Sequence, residues 1–248
     1  MAGAAIHVGI GGWHYEPWRG TFYPAGLPKS KQLEHASRRV TAIEINATFY
    51  KLQNADLYAK WAQTVPDGFR FALKGSRFCT NRKVLATAAE AVGKFCGQGF
   101  EALGDRMGPV CWQFAETKRF EPDDVEAFFD LLPRERNGVP LRHALEAKHE
   151  SFRDDRFHAL ARAAGVAVAF GDDMLDDEPT ADFVYCRLKG ARPEEPEGYL
   201  PAELDRIAER ARSWSAAGRE VFLFMIDGAK ERAPAAAEAV LARLGRDA

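Results

Sequence analysis

Several short apolar runs carry charged or amide side chains at every second position, and these are the groups that could do chemistry. In residues 41–46, Ile43 and Ile45 alternate with Glu44 and Asn46; in 69–74, Phe71 and Leu73 alternate with Arg70, Ala72 and Lys74. Residues 109–114 set Val110, Trp112 and Phe114 against Gln113. Residues 141–147 set Leu145 and Ala147 against Arg142, Ala144 and Glu146, with Lys148 continuing the series. In 183–188, Val184, Cys186 and Leu188 alternate with Tyr185 and Arg187, and Lys189 follows in phase. A strand sends successive side chains to opposite faces, so each polar set shares one face. Unpaired charges on a buried face are costly, so these groups must pair with one another or with a ligand.

Glu44 and Glu146, with His149 just after the fifth run, offer carboxylates for general-acid and general-base work. A carboxylate beside Lys or Arg has its pKa lowered, which suits a base better than an acid. Glu146 is therefore the expected base, oriented by Glu44 with Asn46; salt bridges from these carboxylates to Lys74 or Arg187 are the structural alternative. Residues 68–89 hold Arg70, Lys74, Arg77, Arg82 and Lys83 and no acid. Joined by Arg187 and Lys189, that segment suits a phosphate or carboxylate. Lys74, Arg77 and Arg187 are expected to bind the anion, with Lys189, Asn46, Gln113 and Asp227 around it.

The loop after the first run is rich in rings: Trp13, His14, Tyr15, Trp18, Phe22 and Tyr23, to which Phe49 and Tyr50 add from the second loop. Such rings stack on a sugar or base, or simply pack; Trp13 and Tyr50 are the two expected to do both. Glu44, Glu146, His149 and Asp227 would also make a carboxylate–imidazole metal set. Six histidines without HxH or HExxH spacing argue against it, so no cofactor is expected and a divalent metal is the minor alternative. Lys74, Lys148 or Lys189 could form a Schiff base. No G-x-S-x-G elbow is present, which removes support for serine hydrolase chemistry.

The elements that must position these groups alternate along the chain. Extended runs at 6–10, 41–46, 69–74, 109–114, 141–147, 166–170, 183–188 and 221–226 are separated by amphipathic stretches at 30–39, 55–65, 84–102, 122–132, 154–164 and 201–216, with 233–244 last. Asp123 and Asp124 in a first turn, Pro201 at a start, and Gly165 and Gly218 after ends punctuate them as helices. Strand–helix alternation implies parallel pairing with right-handed crossovers, and this length suits a (β/α)8 barrel. Only 171–182 separates the sixth and seventh strands, and its DDMLDDEP composition favours a loop. No glycine-rich phosphate loop follows the first strand, where GGWHYEPW stands, so an open doubly wound sheet is the weaker architecture. The expectation is an α/β chain forming a single TIM-type barrel over 1–248, its sixth helix atrophied and its site at the C-terminal strand ends.

The 248 residues are 46% hydrophobic and 28% charged, which excludes bulk disorder. Lys plus Arg number 34 against 36 for Asp plus Glu, a net charge of −2 that excludes a protein basic overall. The opening MAGAAIHV lacks the positive flank and apolar stretch of a secretory signal, and the apolar runs at 166–170 and 221–226 are too short to span a bilayer. Cys79, Cys96, Cys111 and Cys186 show no CxxC spacing and read as reduced thiols. A cytoplasmic location without membrane contact is expected.

The segments GIGGWHYEPWRGTFYPAGLP, VTAIEINATFYKL, GFRFALKGSRFCTNRK, GPVCWQF, ALEAKHESF and FVYCRLKG resemble the YecE-like family, domain of unknown function 72. The resemblance runs over nearly the whole chain and implies a TIM-type barrel; it carries no activity with it. Relative to the family pattern, Ala47 replaces a Ser or Thr, Asn81 and Lys189 stand near family histidines, and Phe152 stands near a family Trp. The last strand runs into Ile226, Asp227 and Gly228 where an asparagine pair is usual. A mechanism needing histidine at Asn81 or Lys189 is thereby undercut. The favoured reading is an enzyme acting by acid–base chemistry on a phosphorylated or carboxylated small molecule. Its rivals are a nucleotide or nucleic-acid binding module without turnover, and metal-dependent isomerase or Schiff-base lyase chemistry. A structural or interaction protein with an ion-paired core is a further rival.

Overall fold

The computed structural model describes residues 3–245; Met1 and Ala2 of the opening MAGAAIHV, and 246–248 at the far end of the expected barrel, lie outside them. Its strands are β1 (Ile6–Gly11), β2 (Ala42–Ile45), β3 (Arg70–Lys74), β4 (Met107–Gln113), β5 (His143–Glu146), β6 (Ala167–Val168), β7 (Phe183–Leu188) and β8 (Glu220–Met225). They form one parallel sheet in the order β6-β5-β4-β3-β2-β1-β8-β7. The two edges, β6 and β7, meet through a single bridge at Phe170 and Cys186. There Phe170 N–H donates to the Tyr185 carbonyl at 2.9 Å and Arg187 N–H to the Phe170 carbonyl at 2.8 Å. The barrel is thus nearly closed.

Helices α1 (Gln32–Ala36), α2 (Ala55–Thr64), α3 (Ala89–Cys96), α4 (Pro122–Asp130), α5 (Asp155–Ala164), α6 (Pro201–Ala216) and α7 (Ala233–Arg243) surround it, and the β6–β7 connection holds turns without a helix. The helix expected over 84–102 is broken. A 3-10 turn at Leu85–Ala88 precedes α3, which ends before Gly97, and Gly99 at φ 88° turns the chain into a second 3-10 segment at Phe100–Arg106. A small hairpin pairs Glu135–Arg136 with Val139–Pro140 around Asn137 and Gly138, both at positive φ. That Asn-Gly pair is a type I′ turn signal in the sequence. Among the described residues, no helix is long and apolar enough to cross a membrane.

The two faces of the sheet differ in kind. Outward residues such as Ile10, Ile43, Leu73, Trp112, Leu145 and Leu223 join the main apolar core with the helices. Inward, β2 to β6 contribute small side chains, Ala42, Ala72, Cys111, Ala144 and Ala167, while β7 and β8 contribute Phe183, Tyr185, Phe222 and Phe224. Large rings from one side fill space left by small residues on the other, as a packed barrel core requires. Gly9 belongs to this fit, because a Cβ there would lie 1.8 Å from the Ala42 carbonyl oxygen. The N-terminal end is closed by charge: Arg142 Nη1 donates to Glu220 Oε2 at 2.5 Å, and His7 Nε2 lies 2.8 Å from Glu220 Oε1. The Arg142 guanidinium also rests over the Phe183 and Phe222 rings. Polar groups of the opposite end therefore face the mouth.

Candidate functional site

Arg187, the last inward residue of β7, is 2% exposed and binds two carboxylates at once. Its Nε donates to Glu44 Oε2 at 2.9 Å and its Nη2 to Glu44 Oε1 at 3.0 Å, a bidentate fork. Its Nη1 donates to Glu146 Oε2. Glu44, fully buried at the end of β2, also accepts from the Tyr185 hydroxyl at 2.8 Å. Glu146, at the end of β5, takes Lys189 Nζ on Oε1 and Gln113 Nε2 on Oε2. Gln113 reaches it because the two residues are register partners on β4 and β5. Desolvated charges of this kind persist only when paired and hydrogen-bonded, and here both carboxylates are.

Lys74 at the end of β3 is the odd member. Its Nζ stands 4.5 Å from the Phe49 ring centroid, and it has no carboxylate within ion-pair distance among the described residues. Burial lowers its pKa, the Arg187 cation lowers it further, and Glu44, Cys111 and Glu146 only partly offset this. Within this network Glu44 and Glu146 stand among three basic side chains, Arg187, Lys189 and Lys74. A cavity of about 1070 Å³ opens on this network along β5, β6 and β7, reaching Glu146, His149, Arg187 and Lys189 but not Lys74, and its outer lining is acidic, with Glu150, Asp154, Asp155, Asp172, Asp173 and Asp177.

Glu146 is held by opposed forces. Burial pushes its carboxyl up, but the Arg187 and Lys189 charges and the bonds from Lys189 and Gln113 outweigh that and hold it at about 2. A carboxyl whose folded pKa lies below its unfolded value contributes stability above the unfolded value, and loses it as pH falls toward the folded one. Stability is expected to drop between pH of about 4.5 and about 2, with Glu146 responsible for about 3 kcal/mol. Glu220, also at about 2 against burial through His7 and Arg142, adds to the same window. Urea denaturation across that range should show a drop shrunken by this amount in Glu146→Gln. Identical profiles in the two proteins would mean that the network does not stabilise the ionised form.

Other expected residues sit elsewhere. Asn46 makes no side-chain hydrogen bond to Glu44 or Glu146 among the described residues, and Glu44 meets Glu146 through Arg187. Arg77 is exposed on the single turn Arg77–Thr80, stacked over Tyr50 and Phe78 outside the ion network. Lys148, expected inward, is turned to the rim and pairs with Glu116 at 2.7 Å, since β5 ends at Glu146 and the alternation ends with it. His149 spends Nδ1 on Ser151, capping a 3-10 turn at Glu150–Phe152. Asp227 is exposed, and the set Glu44, Glu146, His149 and Asp227 does not converge: among the described residues, no three His, Cys, Asp or Glu side chains group as metal ligands. The carboxylate oxygens are instead taken by cations.

The loop rings expected to line the mouth mostly pack. Trp18 and Tyr23 are fully buried, Trp18 Nε1 donates to the Lys230 carbonyl at 3.0 Å, and the Tyr23 hydroxyl donates to the Trp13 carbonyl at 2.7 Å. Trp13 is buried edge-on against Trp61, whereas Tyr50 is 62% exposed. All four cysteines are free and buried, their thiols raised by burial. One contributor escaped the sequence reading, which took 171–182 simply as a loop. Asp172 accepts from Lys189 N–H at 2.7 Å, Gly190 N–H at 3.1 Å and the Tyr199 hydroxyl at 2.9 Å, fixing the segment that presents Lys189.

Comparison with known proteins bears out the resemblance. The UPF0759 protein YecE of Escherichia coli (strain K12) is 28% identical over 142 residues, covering 56% of this chain and 48% of that protein. The chain thus spans about half the length of the curated relatives it matches. A crystal structure of a DUF72 family protein from Thermotoga maritima MSB8 superposes with a TM-score of 0.75 at 19% identity, covering 97% of this chain and 98% of that one. SacUVDE superposes at 0.55 with 10% identity, over 98% and 99%, a likeness of fold alone. The sequence profile described as "Protein of unknown function DUF72" matches residues 7–248, and with that coverage the chain belongs to the DUF72 family.

Proposed function

We propose that the barrel mouth binds a small molecule bearing a phosphate or carboxylate and acts on it by acid–base chemistry. The observation that carries this reading is Lys74, a partly buried lysine near Arg187 that has no ion-pair partner among the described residues. In this reading an anion enters at Lys189 and reaches inward toward Lys74, giving that lysine a counter-charge, with Glu146 beside it as the proton acceptor. Thermal shifts against inorganic phosphate, sugar phosphates and organic acids test the reading. A ligand at a hundredfold its Kd stabilises by about 2.7 kcal/mol, a melting shift of roughly 5–10 °C for a chain of this size. The shift should vanish in Lys74→Met. No shift with any anion, or a full shift in that variant, would remove the anion seat.

A second reading is favoured by the rim. Tyr50 and Phe78 are both 62% exposed with Arg77 stacked over each, and Arg82 and Lys83 follow. Exposed rings interleaved with cations suit a single nucleic-acid strand. That reading requires binding that weakens steeply with salt, because neutralised phosphates release counterions.

A further inference from the structure

We propose that a second cavity on the same face, between the ends of β1 and β2, binds a flat aromatic ring carrying a phosphate, the chemistry of a nucleoside monophosphate. The cavity measures about 470 Å³, within the range that holds a small ligand. Neither Arg187, Lys189 nor Glu146 lines it, so it is separate from the barrel-centre network and does not depend on the reading given to that network.

Its chemistry is graded from floor to rim. The floor is apolar, with Trp13 and Trp61 beside Ile45 and Leu33. Trp61 is half-buried and braced edge-on by Trp13 at 5.1 Å and Tyr58 at 5.4 Å, so its indole is a fixed surface for a second ring. Asn46 adds a carboxamide that caps no helix and has no hydrogen-bond partner among the described residues. A carboxamide offers both donors and an acceptor, which matches the edge of a base. Gly11 leaves it room, because a Cβ there would lie 2.9 Å from Asn46 Nδ2.

The rim is cationic. Lys29, Lys60 and Lys230 line the opening, and no acidic side chain does. Lys230 is held 5.0 Å over the Tyr15 ring, while Lys29 and Lys60 are exposed without an ion-pair partner among the described residues. Lys31, two residues from Lys29, is by contrast matched to Glu34 at 2.9 Å. Three unmatched lysines above an indole floor place the anionic group of the ligand outside and its ring inside.

Tryptophan fluorescence titrations with adenosine monophosphate, adenosine and ribose phosphate test this on the full chain. The nucleotide is expected to quench and to bind about tenfold or more tightly than either half, since each half forfeits one set of contacts. Lys29→Glu/Lys60→Glu should weaken the nucleotide about tenfold with an unchanged melting temperature, both residues being exposed. Lys189→Met should leave nucleotide binding intact, which separates this cavity from the barrel-centre anion seat. A 5′-phosphorylated oligonucleotide distinguishes the two sources of the chemistry: equal affinity identifies a strand end, weaker affinity a free nucleotide. Equal affinity for ribose phosphate and the nucleotide, or indifference to the double lysine variant, would overturn the proposal.

Discussion

Arg187→Met is expected to destabilise the protein by about 3–5 kcal/mol, because it strands a buried carboxylate. Glu44 is fully buried, and among the described residues it has, apart from Arg187, only the Tyr185 hydroxyl as a side-chain donor. Glu146 fares better, since Lys189 and Gln113 remain. The loss should appear as a melting temperature lower by roughly 6–20 °C at this chain length. Adding Glu44→Gln to the same protein should recover part of it, because the uncompensated charge goes while the hydrogen-bonding shape stays. A single-variant loss below about 1 kcal/mol would show that the pairing is worth no more than a surface salt bridge.

The inward residues of this network were legible because a strand has only two faces. Glu44, Lys74, Gln113, Glu146, Arg187 and Lys189 all fall in phase with buried apolar neighbours, and β7 and α6 run over the residues that the pattern gives them. Pairing was not legible. Arg187 is 143 residues from Glu44 and 41 from Glu146, and nothing in the chain between them says which carboxylate a cation will reach across a barrel. Alternation also misleads where the chain stops being extended: Lys148 is in phase with Glu146 but lies beyond the end of β5 and turns out to Glu116. The rings of the first loop have no period to read, so packing and lining looked alike until Trp18 and Tyr23 were seen buried. The break after α3 rests on Gly97 and Gly99, glycines inside a stretch whose apolar pattern alone continues. Asp172 was hidden because its role is to accept backbone N–H groups, which no pattern of side chains announces.

Glu146→Gln should leave ligand affinity within about twofold while turnover falls by roughly 10²–10⁴, the usual worth of a positioned base. Affinity is kept because the proposed anion seat, Lys74 with Lys189, is unchanged, although the carboxamide oxygen can replace only one of the two oxygens that now take Lys189 and Arg187 separately. Turnover falls because an amide takes no proton. In the free protein Glu146, held at about 2, is a weak base at neutral pH. Binding changes that: an anion beside Lys189 competes for its charge and adds a negative charge of its own, and both raise the affinity of Glu146 for a proton. The acid limb of kcat/KM, which reports the free enzyme, should therefore lie at lower pH than that of kcat, which reports the complex. Coincident limbs would show that the ligand does not tune Glu146. Turnover that survives Glu146→Gln would move the chemistry to Lys74, which has no carboxylate within ion-pair distance among the described residues. Its lowered pKa would then supply the base or the amine nucleophile, and Lys74→Arg, which keeps the charge but not the titration, would abolish the reaction.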